Sequence, residues 1–407
     1  MSRSPTSPDP QLRRLLDEGY DATLVGGMLV VRHVPYVAPG GGDVRLGTLA
    51  VIAYISGNVL VRPHGHMAWW VGQPPCDADG HPLKHLIAGA ESRQIMPGVQ
   101  ADLQLCNKPK GREFHDHHEY VTTYVAIISA HAQRLDPLAT ARVGAPASQV
   151  CTSSPFRYAD TATARAGTGA AAERIAGQTV GIVGLGGTGS YVLDLVAKCP
   201  VYAIHLFDAD RFEQHNAFRC PGAFAIENLR APIAKVELLT QVYSRLHRRV
   251  VPHSMRIDAT TVPMLDLLDF VFVCVDDGAA RPPILEHLAS RGIPYVDVGM
   301  GLSMSDDGVV GAVRTTLGTP ATHDALSSRI PSTGDPAGLY ASNVQIAELN
   351  ALNAALAVLA WKRMFGFYAT LQLRVRSSPW TMILAPIAVA VECISGIASS
   401  SASKASR

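Results

Sequence analysis

The sequence predicts an α/β protein, a doubly wound and mostly parallel sheet preceded by a smaller α+β domain, and three observations carry that expectation. From about residue 179 onward, short apolar runs alternate with helix-favouring stretches, the rhythm of strands that each need a helix to return across the sheet. Upstream, apolar runs are separated by Gly- and Pro-rich turns and closed by one helix, which suggests a separate sheet. Between the two halves, around 133–170, Pro137, Pro146 and Pro155 punctuate a small-residue stretch that ends in Ala166-Gly-Thr-Gly-Ala, the composition of a linker. The expected division is 1–135 as an accessory α+β domain, 136–165 as linker, 166–368 as the α/β domain and 369–407 as a C-terminal tail. A chain of 407 residues is too long for one average domain and suits this count.

In chain order, the upstream strands are expected in 22–32, 47–55 and 67–71. A helix over 117–133 comes next, with Tyr120, Tyr124, Ile127 and Ile128 on one face and Asp116 as its N-cap. Downstream, 179–184 is an apolar strand, 190–198 a helix, 201–207 a strand, 234–246 a helix and 270–275 a strand. A helix over 284–290, a strand over 295–298 and a long helix over 343–364 complete the alternation.

Charge excludes some partners. With 35 basic and 34 acidic residues the net charge is +1, so neither a nucleic-acid nor a membrane-surface signature is present. Seven cysteines are scattered without a Cys-x-x-Cys pair, which speaks against a disulfide framework or a structural zinc site and for a cytoplasmic setting. The first residues lack the apolar core of a signal peptide. The apolar stretch 382–394, interrupted only by Glu392, is about 13 residues long against the roughly 20 a bilayer needs, and reads as a buried strand pair or a partner-binding tail.

Chemistry concentrates after the first downstream strand. Gly184-Leu-Gly186-Gly187-Thr-Gly189-Ser190 lies between a buried strand and a helix, where glycine allows a tight turn and a close backbone approach to phosphates at a helix N-terminus. Asp208, ending the next strand, is placed to hold a ribose hydroxyl. These features suit NAD or ATP equally. The polar residues farther along the chain favour ATP: Asp208-Ala-Asp210-Arg-Phe-Glu-Gln-His-Asn216-Ala-Phe-Arg219, then Lys235, then Asp276-Asp277. Attack of a carboxylate on the α-phosphate builds negative charge, which needs fixed cations and a metal. Arg219 and Lys235 are the candidate cations, and Asp276, at the C-terminal end of a parallel strand, the candidate Mg²⁺ ligand.

This run resembles the Rossmann-like adenylation domain of ThiF/MoeB proteins and ubiquitin-activating enzymes, which show Gly-x-Gly-Gly-x-Gly, Asp-x-Asp, Asn-x-x-Arg, a lysine on the next helix and an aspartate after a later strand. The resemblance covers about 157–366. It implies that Gly184, Gly186, Gly187, Gly189, Asp208, Asn216, Arg219 and Lys235 bind ATP, with Asp208 on the ribose and Asn216, Arg219 and Lys235 on the phosphates. Arg219, Lys235 and Asp276 would be catalytic, and Asp276 would hold Mg²⁺. The interval between Arg219 and Lys235 is a little longer than the family's usual one. Arg165 loosely matches an arginine that reaches into the neighbouring subunit's site.

The function so implied is ATP-dependent adenylation of the C-terminal carboxylate of a ubiquitin-like protein. A homodimer is expected because the family usually pairs its adenylation domains, and a ubiquitin-conjugating-like protein is a further expected partner. Three rivals stand beside it: an activator of a sulfur-carrier protein, an NAD-dependent oxidoreductase and a catalytically dead binding scaffold. No cysteine occurs between Cys274 and Cys393, where ubiquitin-activating enzymes carry a nucleophile; Ser327, Ser328, Ser332 and Thr333 occupy that region. Three courses are therefore open: the enzyme stops at the adenylate, forms an oxyester, or uses another cysteine. Cys220 and Cys274 read as packing residues.

In residues 1–135, His115, His117 and His118 lack the spacing of a metal site and read as a polar, surface-exposed helix start. The region resembles an uncharacterised domain fused ahead of ThiF-like modules in bacterial operons for ubiquitin-like conjugation. A distant likeness to the ubiquitin-conjugating fold would single out Cys76, although no His or Asn is arranged to activate it and a structural or recruiting role is the expectation.

Overall fold

Strands that are apolar on both faces need cover on both faces, and the C-terminal half of the chain meets that demand. The computed structural model describes residues 9–109, 111–144, 154–230, 233–306, 308–320, 322 and 345–369, with the backbone of 387–392. It forms two units, Met1–Glu173 and Arg174–Arg407.

The N-terminal unit opens with helix α1 (Pro10–Asp17), which Asp9 caps by accepting from the Gln11 and Leu12 amides. Strands β1 (Ala22–Val25), β2 (Met28–Val37) and β3 (Val44–Ile52) come next, then a small hairpin, β4 (Ile55–Ser56) and β5 (Val59–Leu60), and β6 (Met67–Val71), β7 (Ile87–Met96) and β8 (Val99–Cys106). The main sheet is antiparallel in the order β1-β2-β3-β6-β8-β7. Helix α2 (His117–Leu135) packs on it through Tyr120, Val121, Tyr124 and Ile128, with Asp116 accepting from the Glu119 amide as N-cap. Gly47 is obligatory here: a Cβ would come within 2.2 Å of the fully buried Trp70 ring.

Two expectations change in this unit. His117 and His118 are buried rather than surface-exposed; His117 Nε2 lies 3.1 Å from the Tyr54 amide, and His118 Nε2 lies 2.8 Å from Glu18 Oε1. The rings of Tyr54 and Tyr120 lie against that of His117, and the carboxylate of Glu18 holds His118. His115 alone points outward, and among the described residues no group of three or more His, Cys, Asp or Glu is placed to hold a metal ion. The stretch expected as linker carries α3 (Thr161–Ala166), capped by Asp160, and is succeeded by α4 (Gly169–Glu173). Ala164 joins a core cluster with Met28, Val30 and Trp69, so these helices belong to the N-terminal unit.

In the C-terminal unit, β9 (Thr179–Val183), α5 (Gly187–Val196), β10 (Ala203–Phe207), the short α6 (Gln214–Ala217) and α7 (Ile226–Arg230), α8 (Lys235–Tyr243) and β11 (Val250–His253) come first. After them come β12 (Phe270–Val273), α9 (Arg281–Ser290), β13 (Tyr295–Ser305), β14 (Gly308–Gly318), α10 (Ala347–Met364) and β15 (Ile387–Glu392). The sheet order is β11-β10-β9-β12-β13-β14-β15. Strands β11 to β13 along that order are parallel, β14 is antiparallel to β13, and β15 is parallel to β14. One face is covered by α5, α8 and α10, with Ile182, Phe270, Phe272 and Trp361 in its core. The other is covered by α9 and the turn Val262–Leu265 over Val183, Val271 and Val273. The sheet is thus doubly wound, as its apolar strands require.

The strand expected over 295–298 runs on to Ser305 and turns back as β14. Of the apolar stretch 382–394, Ile387–Glu392 forms the edge strand β15. Ser327, Ser328, Ser332 and Thr333 lie outside the described residues. Among the described residues no helix is long and apolar enough to cross a membrane.

Candidate functional site

The chain leaves β9 with β10 on one side of it and β12 on the other, and at such a switch point the strand ends part and open a crevice. The glycine loop fills the gap. Gly184 adopts φ +90°, and a Cβ there would lie 2.7 Å from the Cys274 carbonyl oxygen, so only glycine fits. A Cβ on Gly187 would come 1.9 Å from Asn350 Nδ2, and one on Gly189 would come 1.9 Å from the Gly184 carbonyl oxygen. Gly186 differs: the nearest atom to its notional Cβ is Gln345 Oε1 at 4.0 Å. It is the N-cap of α5 and lines the cleft.

The cleft has a volume of about 930 Å³ and is lined by Gly184, Gly186, Gly187, Asp208, Asn216, Arg219, Lys235 and Asp276 among others. Gly189 stands behind the loop, outside the cleft wall, where it lets α5 pack against the turn.

Asp208 extends from β10. Its Oδ2 accepts from the Leu185 amide at 2.6 Å and its Oδ1 from the Asp210 amide at 2.8 Å, with Lys235 Nζ at 3.9 Å. Burial pushes its carboxyl pKa up, against the pull of Lys235 and the two amides. A carboxylate holding the glycine loop retains lone pairs for a further donor. Lys235 opens α8, is 6% exposed, and places Nζ 2.7 Å from Asp210 Oδ2. The long interval after Arg219 is absorbed by α7, after which the Lys235 amide donates to the Asp210 carbonyl at 2.9 Å.

Asn216 is buried, and its Oδ1 accepts from the Glu213 amide at 2.8 Å, closing the α6 turn. Arg219 lines the cleft with a buried Nε that has no hydrogen-bond partner among the described residues. Asp277 is engaged with Arg256 at 3.3 Å and the Ala279 amide at 2.9 Å, leaving Asp276 the less committed of the pair. Mg²⁺ is usually held by one or two carboxylates together with substrate phosphates, so Asp276 at this place is a fitting donor.

Three of the described cysteines, Cys76, Cys220 and Cys274, are not primed. Burial pushes the Cys220 and Cys274 thiols up, and Cys220 packs with Phe212 and Leu238. In the N-terminal unit Cys76 is fully buried, its thiol donates to the Pro74 carbonyl at 3.2 Å, and burial raises its pKa. Arg165, on α3, lies over the Tyr54 ring at 5.6 Å.

A model of the ThiF family matches residues 160–404, more than half of the sequence, and spans every one of these cleft residues. The chain belongs to the ThiF family. Residues 10–161 match a domain of unknown function, DUF6791. Ubiquitin-like modifier-activating enzyme 5 of Drosophila mojavensis is 29% identical over 143 residues, 31% of this ThiF-family chain and 35% of that protein. The Drosophila grimshawi protein of the same name is 28% identical over the same shares. The chain thus spans about a third of the length of the curated relatives it matches. Among solved structures, E. coli MccB with ATP is 19% identical with a TM-score of 0.35, covering 49% of this chain and 60% of that one. E. coli tRNA N6-threonylcarbamoyladenosine dehydratase, TcdA, in complex with AMP is 17% identical with a TM-score of 0.36, covering 50% of this chain and 92% of that one.

Sequence reading missed one side of the cleft. Arg281, Arg314, Asp297 and Gln345 contribute to or stand behind its wall. Two signals were available: Arg281 sits at the first turn of a helix, where the macrodipole disfavours a cation, and Asp297 interrupts the apolar run Tyr295-Val-Asp-Val.

Proposed function

We propose that this protein uses ATP to adenylate a carboxylate. The observation that supports the reading is that Gly186 and Asp276, far apart in sequence, line one cleft together with Arg219 and Lys235. A triphosphate laid along the glycine loop would have Asp208 at its ribose and the α5 N-terminus at its phosphates. Arg219, with its unpartnered Nε, and Lys235 would carry the charge that builds at phosphorus and on the leaving group. Asp276 would hold Mg²⁺, which supplies neutralisation of the β- and γ-phosphate charge.

In the reaction a carboxylate oxygen attacks the α-phosphorus, the bond from that phosphorus to the bridging oxygen breaks, and pyrophosphate departs with the electron pair. The product is an acyl-adenylate, and the proposal ends there, since the burial that raises the Cys220 and Cys274 thiols leaves neither poised to accept the acyl group. The substrate would be the C-terminal carboxylate of a ubiquitin-like protein. The curated relatives named as ubiquitin-like modifier-activating enzymes motivate that choice. A homodimer belongs to the same proposal, and a ubiquitin-conjugating-like protein would act on the activated product only after the adenylate has formed.

ATP–pyrophosphate exchange in the presence of candidate ubiquitin-like proteins tests it. Asp276→Ala is expected to abolish exchange while leaving the thermal unfolding midpoint in place. A folded Asp276→Ala protein that exchanged as well as the parent would remove the metal assignment.

A further inference from the structure

The cleft wall beyond Asp276 carries a charge cluster that nucleotide binding leaves unused. Asp297, fully buried on β13, lies between two arginines, with Arg281 Nε 2.9 Å from Oδ1 and Arg314 Nη1 2.7 Å from Oδ2. The contacts are close but poorly aligned, so neither carboxylate oxygen accepts a well-formed hydrogen bond. A buried carboxylate requires a counter-charge, and two guanidinium groups for one carboxylate leave this wall positive.

The arginines are not equivalent. Arg281 is also tied through Nη2 to the Val275 carbonyl at 2.6 Å. Arg314 gives Nη1 to Thr316 Oγ1 at 3.1 Å, while its buried Nε has no partner among the described residues. Its guanidinium lies across Gly299, where a Cβ would come within 2.9 Å of Nη2. The glycine is what allows an arginine to lie flat against the strand and line the cleft.

Sheet order fixes what this wall would meet. Along β10-β9-β12-β13-β14, Asp208 lies on one side of the glycine loop and the Asp297–Arg314 pair on the other. A nucleotide with its ribose at Asp208 and its phosphates at the loop leaves the β13–β14 side for the second reactant. A planar guanidinium with free donors is suited to a carboxylate.

We propose that Arg314, held in place by Asp297, receives the carboxylate of the second substrate and sets it against the α-phosphorus, a role that rests on the adenylation reading above. Arg314 is the substrate-touching group; Asp297 is a positioning residue that acts through it.

The test compares two adenosine ligands on the full chain by calorimetry: AMP, and 5′-O-(N-glycylsulfamoyl)adenosine, a stable mimic of glycyl-adenylate that keeps the acyl oxygen. Arg314→Met is expected to weaken the mimic by roughly tenfold to a hundredfold, the loss of a hydrogen bond from a charged donor, with AMP binding unchanged. Arg314→Lys, which keeps the charge but not the fork, should fall between. Asp297→Asn should lose the same preference for the mimic over AMP without touching either ligand, a change that a merely structural role would not single out. An Arg314→Met protein in which both ligands weaken equally, or neither does, overturns the proposal. If that variant fails to fold by thermal denaturation, Arg314→Lys carries the comparison by the same criterion. A parent protein that binds neither adenosine ligand refutes the adenylation reading itself, which is a different outcome.

Discussion

Of the loop glycines, Gly186 is the one whose missing side chain serves the cleft rather than the fold. Among the described residues its notional Cβ meets nothing closer than 4.0 Å, whereas that of Gly189 meets a carbonyl oxygen at 1.9 Å. The two positions should therefore separate binding from stability. Gly189→Ala is expected to cost about 1–3 kcal/mol by overpacking. Gly186→Ala should stay within about 0.5 kcal/mol of the parent in denaturant unfolding yet weaken nucleotide binding, because its methyl group would occupy the place of a phosphate. A Gly186→Ala protein that bound ATP normally would mean that phosphates do not pass there. The glycine motif itself was legible in the sequence, but the division of labour within it was not, because it depends on Asn350 and Cys274, residues from distant elements.

At the scale of elements, apolar patterning was informative where burial is two-sided and weak where it is not. The strands β9, β10 and β12 are apolar except for Thr179 and His205 and were readable from sequence; β7, most of whose residues are partly buried or exposed and which carries Glu91, Ser92, Arg93 and Gln94, gave no such signal at the sheet edge. β14 was missed because three glycines and Arg314 break up the strand-favouring valines and threonines of Gly308–Gly318. The helix α10 is fastened by Trp361, which is fully buried against Phe270 and Phe272 and donates to Gln178 Oε1 at 3.0 Å. Trp361→Ala should cost about 3–5 kcal/mol, measured by denaturant unfolding.

The start of α2 also carries a pH dependence. Burial lowers the His117 pKa below its usual 6.5, so the folded state keeps the ring neutral. As pH falls through 6.5 the unfolded chain takes up a proton that the folded one refuses, and stability of the N-terminal unit declines. His117→Gln should flatten that slope between neutral and mildly acidic pH, read from unfolding midpoints. An unchanged slope would assign the dependence of the N-terminal unit to groups other than His117.

For the molecule as a whole, the candidate chemistry falls where the sheet reverses its order. Asp208, the glycine loop and Asp276 come after β10, β9 and β12, three neighbouring strands, so residues dispersed through the sequence converge without any special device. That convergence was readable from the strand–helix alternation. The Arg281–Asp297–Arg314 wall was not, because its members are joined by strand register, Gly299 opposite Arg314 and Asp297 opposite Thr316, rather than by any motif. Calorimetric titration of the purified chain with ATP and Mg²⁺, set beside the same titration with NAD, bears most directly on the central claim. Binding of ATP is expected to strengthen with Mg²⁺, to lose that strengthening in Asp276→Ala, and to have no counterpart with NAD. Binding of NAD in preference to ATP, or ATP binding indifferent to both the metal and Asp276, would contradict it.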